Sequence, residues 1–354
     1  MILSFCCSIT FHAQQQRTFK IHTIAFYNLE NLFDFKDDPF TFDDDRTPEG
    51  KDHWTEKNYR AKLQNMARVI SEIGKDATGQ SPTIIGVCEI ENRTVLEDLI
   101  NEDPLGKEGY GIVHFDSPDR RGIDVALLYR KNVFTPSHYK SIELLLYNEQ
   151  DRKKRIYTRD QLIVSGMLDG ERIHIIVNHW PSRSGGEARS RPKRLKAAWL
   201  NKRIIDSLWS LDPYAKIVSM GDFNDDPGSQ SIKKVLQTLH DRNTNELKRL
   251  YNPMEYMHKK GLGTLAYRDG WNLFDQIIIS SELIKREYDS YRYYKAGIHS
   301  NTKLITSSGR YKGYPFRSFT DSGFTGGYSD HFPVYIYLIK EIDSSEGLSN
   351  QSNH

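Results

Sequence analysis

The chain predicts an α/β fold, a layered sandwich of mixed β-sheets and helices rather than a doubly wound parallel sheet. Three observations carry that expectation. Apolar runs of strand length recur and end on polar side chains: Ile21–Tyr27 before Asn28, Thr83–Cys88 before Glu89, Ile173–Val177 before Asn178-His179, and Ile217–Met220 before Gly221-Asp222. Leu162, Val164 and Leu168 alternate before Asp169-Gly170, and Ile173, Ile175 and Val177 alternate after it, which is the composition of a tight hairpin. Helical patterns are interspersed with these runs, and neither common glycine-rich phosphate loop is present.

Taken in order, residues 1–13 read as an export signal. Ile2–Phe11 is uncharged and mostly apolar, and His12-Ala13 before Gln14 resembles a small-residue cleavage site. No Lys or Arg precedes it, so the true start is expected upstream; Cys6 and Cys7 fit a lipoprotein signal poorly. Residues 14–20 form a polar leader, a single domain covers 21–340, and 341–354 is a polar, disordered tail. Phe35–Thr55 is an acidic insertion, and Asn58–Ile73 has helical spacing of Leu63, Met66, Ala67 and Ile70. Val125–Tyr129 is a strand entered through Arg120-Arg121-Gly122, and Pro192 introduces a helix over Lys193–Leu208. Phe274–Ile279 and Pro333–Ile339 supply further strands. No apolar run is long enough to span a bilayer.

The bulk properties exclude some classes of function. With 38% hydrophobic residues in 354, a sizeable core can be buried. Net charge is +2, from 49 basic and 47 acidic residues, so nucleic acid is not held by bulk charge and any polyanion must meet a local patch. Removal of residues 1–13 leaves Cys88 alone, with no disulfide available; inside an apolar run it reads as a buried thiol.

The chemistry is carried by Asn28-Leu29-Glu30-Asn31, Glu89, Asn178-His179, Gly221-Asp222-Phe223-Asn224, Asp275 after Trp271-Asn272-Leu273-Phe274, and Ser329-Asp330-His331. Carboxylate, amide and imidazole groups where strands leave a core are the parts of a hydrolytic site assembled from several loops. In this order the motifs resemble the endonuclease/exonuclease/phosphatase superfamily, the group similar to deoxyribonuclease I and abasic-site endonucleases, from about Ile21 to Ile339. The resemblance implies a four-layer α/β sandwich, with two packed mixed β-sheets flanked by helices, that hydrolyses phosphate esters with a divalent metal.

Residue by residue, it implies Glu89 as principal metal ligand, with Glu91 as rival, and Asn28 and Asp330 associated with the metal. One or two carboxylates suffice for Mg²⁺, which keeps several waters. Glu30 is given a metal-bound water. Asp222 orients the attacking water and Asn224 donates a hydrogen bond to the phosphate. His331 is the general base or a phosphate-contacting imidazole, and Asp275 fixes its tautomer. His179 is general acid or phosphate donor, with Asp124 as its carboxylate partner, subject to a shift of one position. Asn178, Asp124 and Arg183 are placed on the substrate side. Arg183 opens a basic run with Arg189, Arg191, Lys193, Arg194 and Lys196 that reads either as a phosphate grip or as a solvated helix face.

Asp34, Asp37, Asp38, Asp43, Asp44 and Asp45 offer oxygen for a structural Ca²⁺, though the spacing fits no EF-hand and a surface loop is the plainer reading. Tyr291–Lys295 and Tyr311–Phe319 mix aromatic and basic residues suited to nucleic-acid stacking or to a packed hairpin. The expectation is an exported endonuclease acting on DNA or RNA with Mg²⁺ or Mn²⁺ and no obligate protein partner. A phosphomonoesterase or lipid-headgroup phosphodiesterase is the alternative, and a catalytically silent binding protein the remote one.

Overall fold

In the computed structural model, which describes residues 17–148 and 150–342, two six-stranded sheets pack face to face. In chain order their strands are β1 (Thr18–Leu32), β2 (Ile84–Ile90), β3 (Tyr110–His114), β4 (Asp124–Arg130), β5 (Phe134–Ile142), β6 (Gln161–Leu168), β7 (Glu171–His179), β8 (Ile217–Asp222), β9 (Leu250–Tyr251), β10 (Asp275–Ser280), β11 (Arg292–Ile298) and β12 (Val334–Ile342). The first sheet runs β11-β12-β1-β2-β4-β3 and the second β9-β10-β8-β7-β6-β5. Each is built on one parallel pair, β1 with β2 and β8 with β7, and every other pairing is antiparallel. The sheets are therefore mixed, as the sequence predicts.

Period-two alternation explains the layers. On β1, Ile24 and Phe26 join Ile175, Val177, Val218 and Met220 in a core between the sheets, while Ala25 and Tyr27 face outward. The outward residues are covered by the Glu56–Glu72 helix through Tyr59, Leu63, Met66 and Ile70, with Arg93–Asn101 beside it. On the far side, the Glu187–Leu211 helix covers Ile163, Ile176, Ile217 and Ile278 with Ala197, Ala198 and Ile205. The result is four layers: helices, sheet, sheet, helix.

Boundaries differ from the expectation where side chains outside the apolar runs take part. β1 begins at Thr18, inside the expected polar leader, because Phe19, Lys20 and their neighbours pair with β12 out to Ile342. The helix expected from Lys193 begins at Glu187, and Pro192 lies within it. Its first turn is held by Ser190 Oγ donating to the Gly186 carbonyl and by the Arg191–Glu187 ion pair. The Asp169-Gly170 turn forms, with φ of 49° and 84°. Tyr291 and Tyr293 are buried in the inter-sheet core at edge strand β11, so these two rings pack, while Tyr294 between Tyr293 and Lys295 is exposed. The expected export signal and the tail beyond Ile342 lie outside the described residues. No helix among the described residues is long and apolar enough to cross a membrane.

His22 on β1 offers a test of this packing. Its ring is buried, with Nδ1 3.0 Å from Thr83 Oγ1, Nε2 3.0 Å from the Tyr291 hydroxyl, and Asp169 3.9 Å away. Burial lowers its pKa from 6.5 to about 4, with Lys20 and Arg130 adding to the effect and Asp169 opposing it. The unfolded chain then binds the proton that the native chain refuses. The stabilisation is complete above the unfolded value and is lost as pH falls toward 4. Between pH 7.5 and 5 this residue should remove about 2 kcal/mol of stability. Urea midpoints at the two pH values should show a smaller loss for His22→Gln; equal losses in both proteins would refute the assignment.

Candidate active site

The polar strand ends converge at one edge of the sandwich, between the two parallel pairs. Asn28 at the end of β1 donates from Nδ2 to Glu89 Oε1 and to Asp222 Oδ2, each at 3.2 Å. The backbone N–H of Glu30 donates to Asn28 Oδ1 at 2.9 Å, which fixes the amide orientation. His179 Nε2 lies 3.7 Å from both Glu89 Oε1 and Asp222 Oδ2. His331 Nδ1 is 2.6 Å from Asp275 Oδ2, and the ligand atoms of Asp222, Asp275 and His331 lie within 4.8 Å of one another. Ser329 Oγ donates to the Asn28 carbonyl at 2.7 Å and accepts from His331 N–H at 3.1 Å, joining the final motif to the first.

Backbone irregularity aims these groups. Pairing of β1 with β2 shifts register between Asn28 and Leu32, and pairing of β2 with β4 shifts between Cys88 and Ile90. Glu30, Asn31 and Glu89 there have φ of 47°, 52° and 58°, in the left-handed region that is costly for residues with a Cβ. The bulge turns Glu89 into the site, whereas Glu91 accepts from Asp34 N–H at 2.6 Å, away from the Glu89–Asp222 group. Gly221 is required by close approach rather than by a turn: a Cβ there would sit 2.3 Å from the Asn178 carbonyl on β7.

Electrostatics divide the two imidazoles. Burial holds His179 well below its ordinary pKa, and Arg159, Arg121 and His331 push the same way, so the ring is neutral. Around His331 burial also disfavours charge, but Asp275, Asp222 and Asp330 outweigh it and hold the ring well above its ordinary value. Asp222 is raised to about 7, first by burial, with Asp275 and Glu89 adding, while His331 and the Asn224 N–H oppose. Neither Glu89 nor Asp222 forms an ion pair with a lysine or arginine among the described residues. Glu89, Asp222 and His179 offer atoms within 4.8 Å of one another, an oxygen-rich set suited to a divalent cation. The buried His179 Nδ1 and Asp275 Oδ1 lack hydrogen-bond partners.

Several residues expected here are engaged otherwise. Asn28 turns its amide nitrogen, not its oxygen, to the carboxylates, so it positions them rather than ligating. Asp330 pairs with Arg317 at 3.2 Å and lies outside the Glu89 group. Glu30 accepts from Ser318 and Phe319 N–H groups and from Arg317, and lies outside the Glu89–His179–Asp222 group. Asp124 is bonded to His114 Nε2 at 3.0 Å and to Ser117, not to His179, because its side chain turns toward β3. Arg183 is taken up by Asp225, Asp226 and the Asn224 carbonyl. Arg194, fully buried, pairs with Asp225 at 2.7 Å, so the basic run is in part internal structure. Asn224 donates from Nδ2 to the Trp180 carbonyl at 3.1 Å. Asp43 of the acidic insertion is buried and accepts from Asp38 N–H, and no group of metal-ligand spacing forms in that insertion among the described residues.

Two cations near His179 escaped the sequence reading. Buried Arg159 donates to the Trp180 carbonyl at 2.7 Å and pairs with Asp119, which also holds half-exposed Arg121. Nothing in the order of residues links 119–121 to 159, since the connection is purely spatial.

The Endonuclease/Exonuclease/phosphatase family model matches residues 23–340, and the chain belongs to that family, whose members are phosphoester hydrolases. No curated protein matches. Among solved structures, an endonuclease/exonuclease/phosphatase family protein from Bacteroides thetaiotaomicron is similar over 93% of this chain and 98% of its own, at 16% identity and a TM-score of 0.54. Bacteroides thetaiotaomicron mannosyl-6-phosphatase Bt3783 is similar over 90% and 99%, at 17% identity and a TM-score of 0.53. D. rerio TDP2 complexed with a single-strand DNA product is similar over 90% and 98%, at 12% identity and a TM-score of 0.50. These likenesses establish the shared fold.

Asn178, expected to touch substrate, is fully buried. Its Oδ1 accepts from Trp180 Nε1 at 3.1 Å and Asn201 Nδ2 at 2.9 Å, and its Nδ2 donates to Ser219 Oγ and the Met220 carbonyl. Asn178→Ala should cost about 2–3 kcal/mol, because both buried donors lose their acceptor. Thermal denaturation should show that loss while KM on a small ester stays within twofold; a raised KM at unchanged melting temperature would restore the substrate-binding role.

Proposed function

We propose that the chain is an exported, divalent-metal-dependent phosphodiesterase acting on nucleic acid. The observation that carries the hydrolytic reading is the convergence of Glu89, Asp222, His179, Asp275 and His331, with no lysine or arginine among the described residues paired to the two central carboxylates. Glu89 and Asp222 would hold a divalent ion beside His179, and that ion would supply charge neutralisation for the phosphate. Asp222, fixed by Asn28 and by the Asn224 N–H at 2.9 Å, orients the attacking water and takes its proton. The sequence leaves His331 as base or phosphate contact, and its carboxylate surroundings favour the second. Held by Asp275, it presents Nε2 as a donor to the phosphate. Neutral His179 supplies a further donor. Export rests on the apolar Ile2–Phe11 run alone.

The nucleic-acid assignment draws on the likeness to DNA-bound TDP2 and on half-exposed Arg121 beside His179. The likeness to a mannosyl-6-phosphatase favours a phosphomonoesterase as second reading. Supercoiled plasmid, a single-stranded oligonucleotide, bis(p-nitrophenyl) phosphate and mannose 6-phosphate, each with Mg²⁺ or Mn²⁺ and with EDTA, separate the two. Cleavage of the nucleic acids that EDTA abolishes is expected; hydrolysis of mannose 6-phosphate alone would overturn the substrate assignment.

His331→Ala and Asp275→Asn should lower kcat by about 10²–10³ and leave KM nearly unchanged. Glu89→Gln should raise the Mn²⁺ concentration needed for half-maximal rate. Full activity in either His331→Ala or Glu89→Gln would remove the site from the chemistry.

A further inference from the structure

Beside the site runs a row of aromatic rings that the chemistry does not use. Phe332, next in sequence to His331, is stacked on Trp271, with ring centroids 6.0 Å apart and planes 16° from parallel. Trp271 meets Tyr314 at 6.1 Å, and Tyr314 meets Tyr311 at 5.7 Å. Phe332 is buried in the helix-side core, but Trp271 is 38% and Tyr311 53% exposed, so the row passes from that core to open solvent.

The row is tied to the catalytic strands. The Leu265–Tyr267/Gly270–Asn272 hairpin carries Trp271, and Thr264 at its base accepts the Phe332 N–H at 2.8 Å through its carbonyl. Thr264 N–H donates to the Asn272 carbonyl at 2.8 Å, and Thr264 Oγ1 accepts from Asp275 N–H at 3.4 Å. The Tyr311–Tyr314 loop is itself ordered. Thr306 N–H donates to the Tyr314 carbonyl at 2.8 Å, the Thr306 carbonyl accepts from Gly313 N–H at 2.9 Å, and Tyr314 hydroxyl donates to Asp269 at 2.6 Å. Cations border the outer rings: Arg310 lies 5.6 Å from the Tyr311 centroid, and Lys312 is exposed on the same loop.

We propose that this row is a stacking platform for unpaired bases of a single nucleic-acid strand, whose phosphates meet Arg310 and Lys312. Aromatic faces accept any base, and interleaved cations suit the backbone; a paired duplex hides its base faces and gains only the charge term. The inference rests on the phosphodiesterase reading and names the substrate form that this site takes.

The test uses the full chain carrying His331→Ala, with Mg²⁺. It compares binding of oligo-dT, a strand of equal charge made of abasic spacers, and a short duplex, by anisotropy and tryptophan emission. Oligo-dT should bind tenfold or more tightly than the abasic strand and quench emission, and Trp271→Phe should remove that quenching. Tyr311→Ala, at an exposed position, should weaken oligo-dT about tenfold and shrink its advantage over the abasic strand. Equal affinities for the two strands, or an advantage untouched by Tyr311→Ala, would overturn the platform. Quenching by mannose 6-phosphate but not by oligo-dT would also overturn it, in favour of a sugar. Hydrolysis of bis(p-nitrophenyl) phosphate by the unsubstituted protein reports separately on the phosphodiesterase reading. Hydrolysis without base-dependent binding sinks only the platform, and base-dependent binding without any hydrolysis sinks only the phosphodiesterase.

Discussion

One amide group connects the two halves of the molecule where the chemistry lies. Asn28 Nδ2 is shared between Glu89, on the neighbouring strand of its own sheet, and Asp222, on the opposite sheet. The distance between those carboxylates is therefore set by the packing of one sheet on the other, through Phe26, Cys88, Val177 and Met220 in the intervening core. Ser329 ties the last strand to the same residue through the Asn28 carbonyl. Left-handed backbone at Glu30, Asn31 and Glu89 accompanies this convergence, and strain of this kind persists only where the surrounding structure over-determines it.

The arrangement gathers like charges. Burial together with Asp275 and Glu89 raises the Asp222 carboxyl, and Asp275, Asp222 and Asp330 favour the imidazolium at His331. A cation at the Glu89–Asp222 pair offsets the charge gathered on those two carboxylates, which gives the donor set a physical reason to bind one. Three of the six cations that the sequence offers most densely are not free to do so. Arg194 is buried against Asp225, Arg183 is held by Asp225 and Asp226, and Arg191 is paired with Glu187. These bonds fasten the start of the long helix to the loop after Asn224, so they support the site as structure rather than as charge.

What the sequence disclosed follows the physics of each signal. Buried strands were legible because apolar runs of Ile, Val and Leu have few other uses, and their polar ends marked Asn28, Glu89, His179, Asp222, Asp275 and His331. Edge strand Phe134–Ile142 was not legible, since it is largely exposed and reads as polar loop. Side-chain direction was the other gap. Whether Glu89 or Glu91 enters the site depends on a bulge that shifts pairing between Cys88 and Ile90, and period-two reasoning cannot see it. The partners of Asp124, Asn178 and Arg183 are set by tertiary contacts with His114, Asn201 and Asp226, distant in sequence.

The same division separates chemistry from selection. The groups proposed for hydrolysis stand on strand ends, nearly all buried, and are locked to one another across both sheets. The aromatic row and its cations stand on a hairpin and a loop that reach the site through a few backbone bonds at Thr264 and through the Glu30 carboxylate, which accepts from Ser318 and Phe319 N–H groups. Glu30 is raised to about 7, first by burial and then by Asp330, with Lys62 and Arg317 opposing. That carboxylate thus joins the loop to the site without joining the Glu89–Asp222 group. A fold of this type does not choose its ester; the exposed loops do. Changes in the Tyr311–Tyr314 loop can alter which phosphate ester is held while leaving the Asn28–Glu89–Asp222 geometry in place.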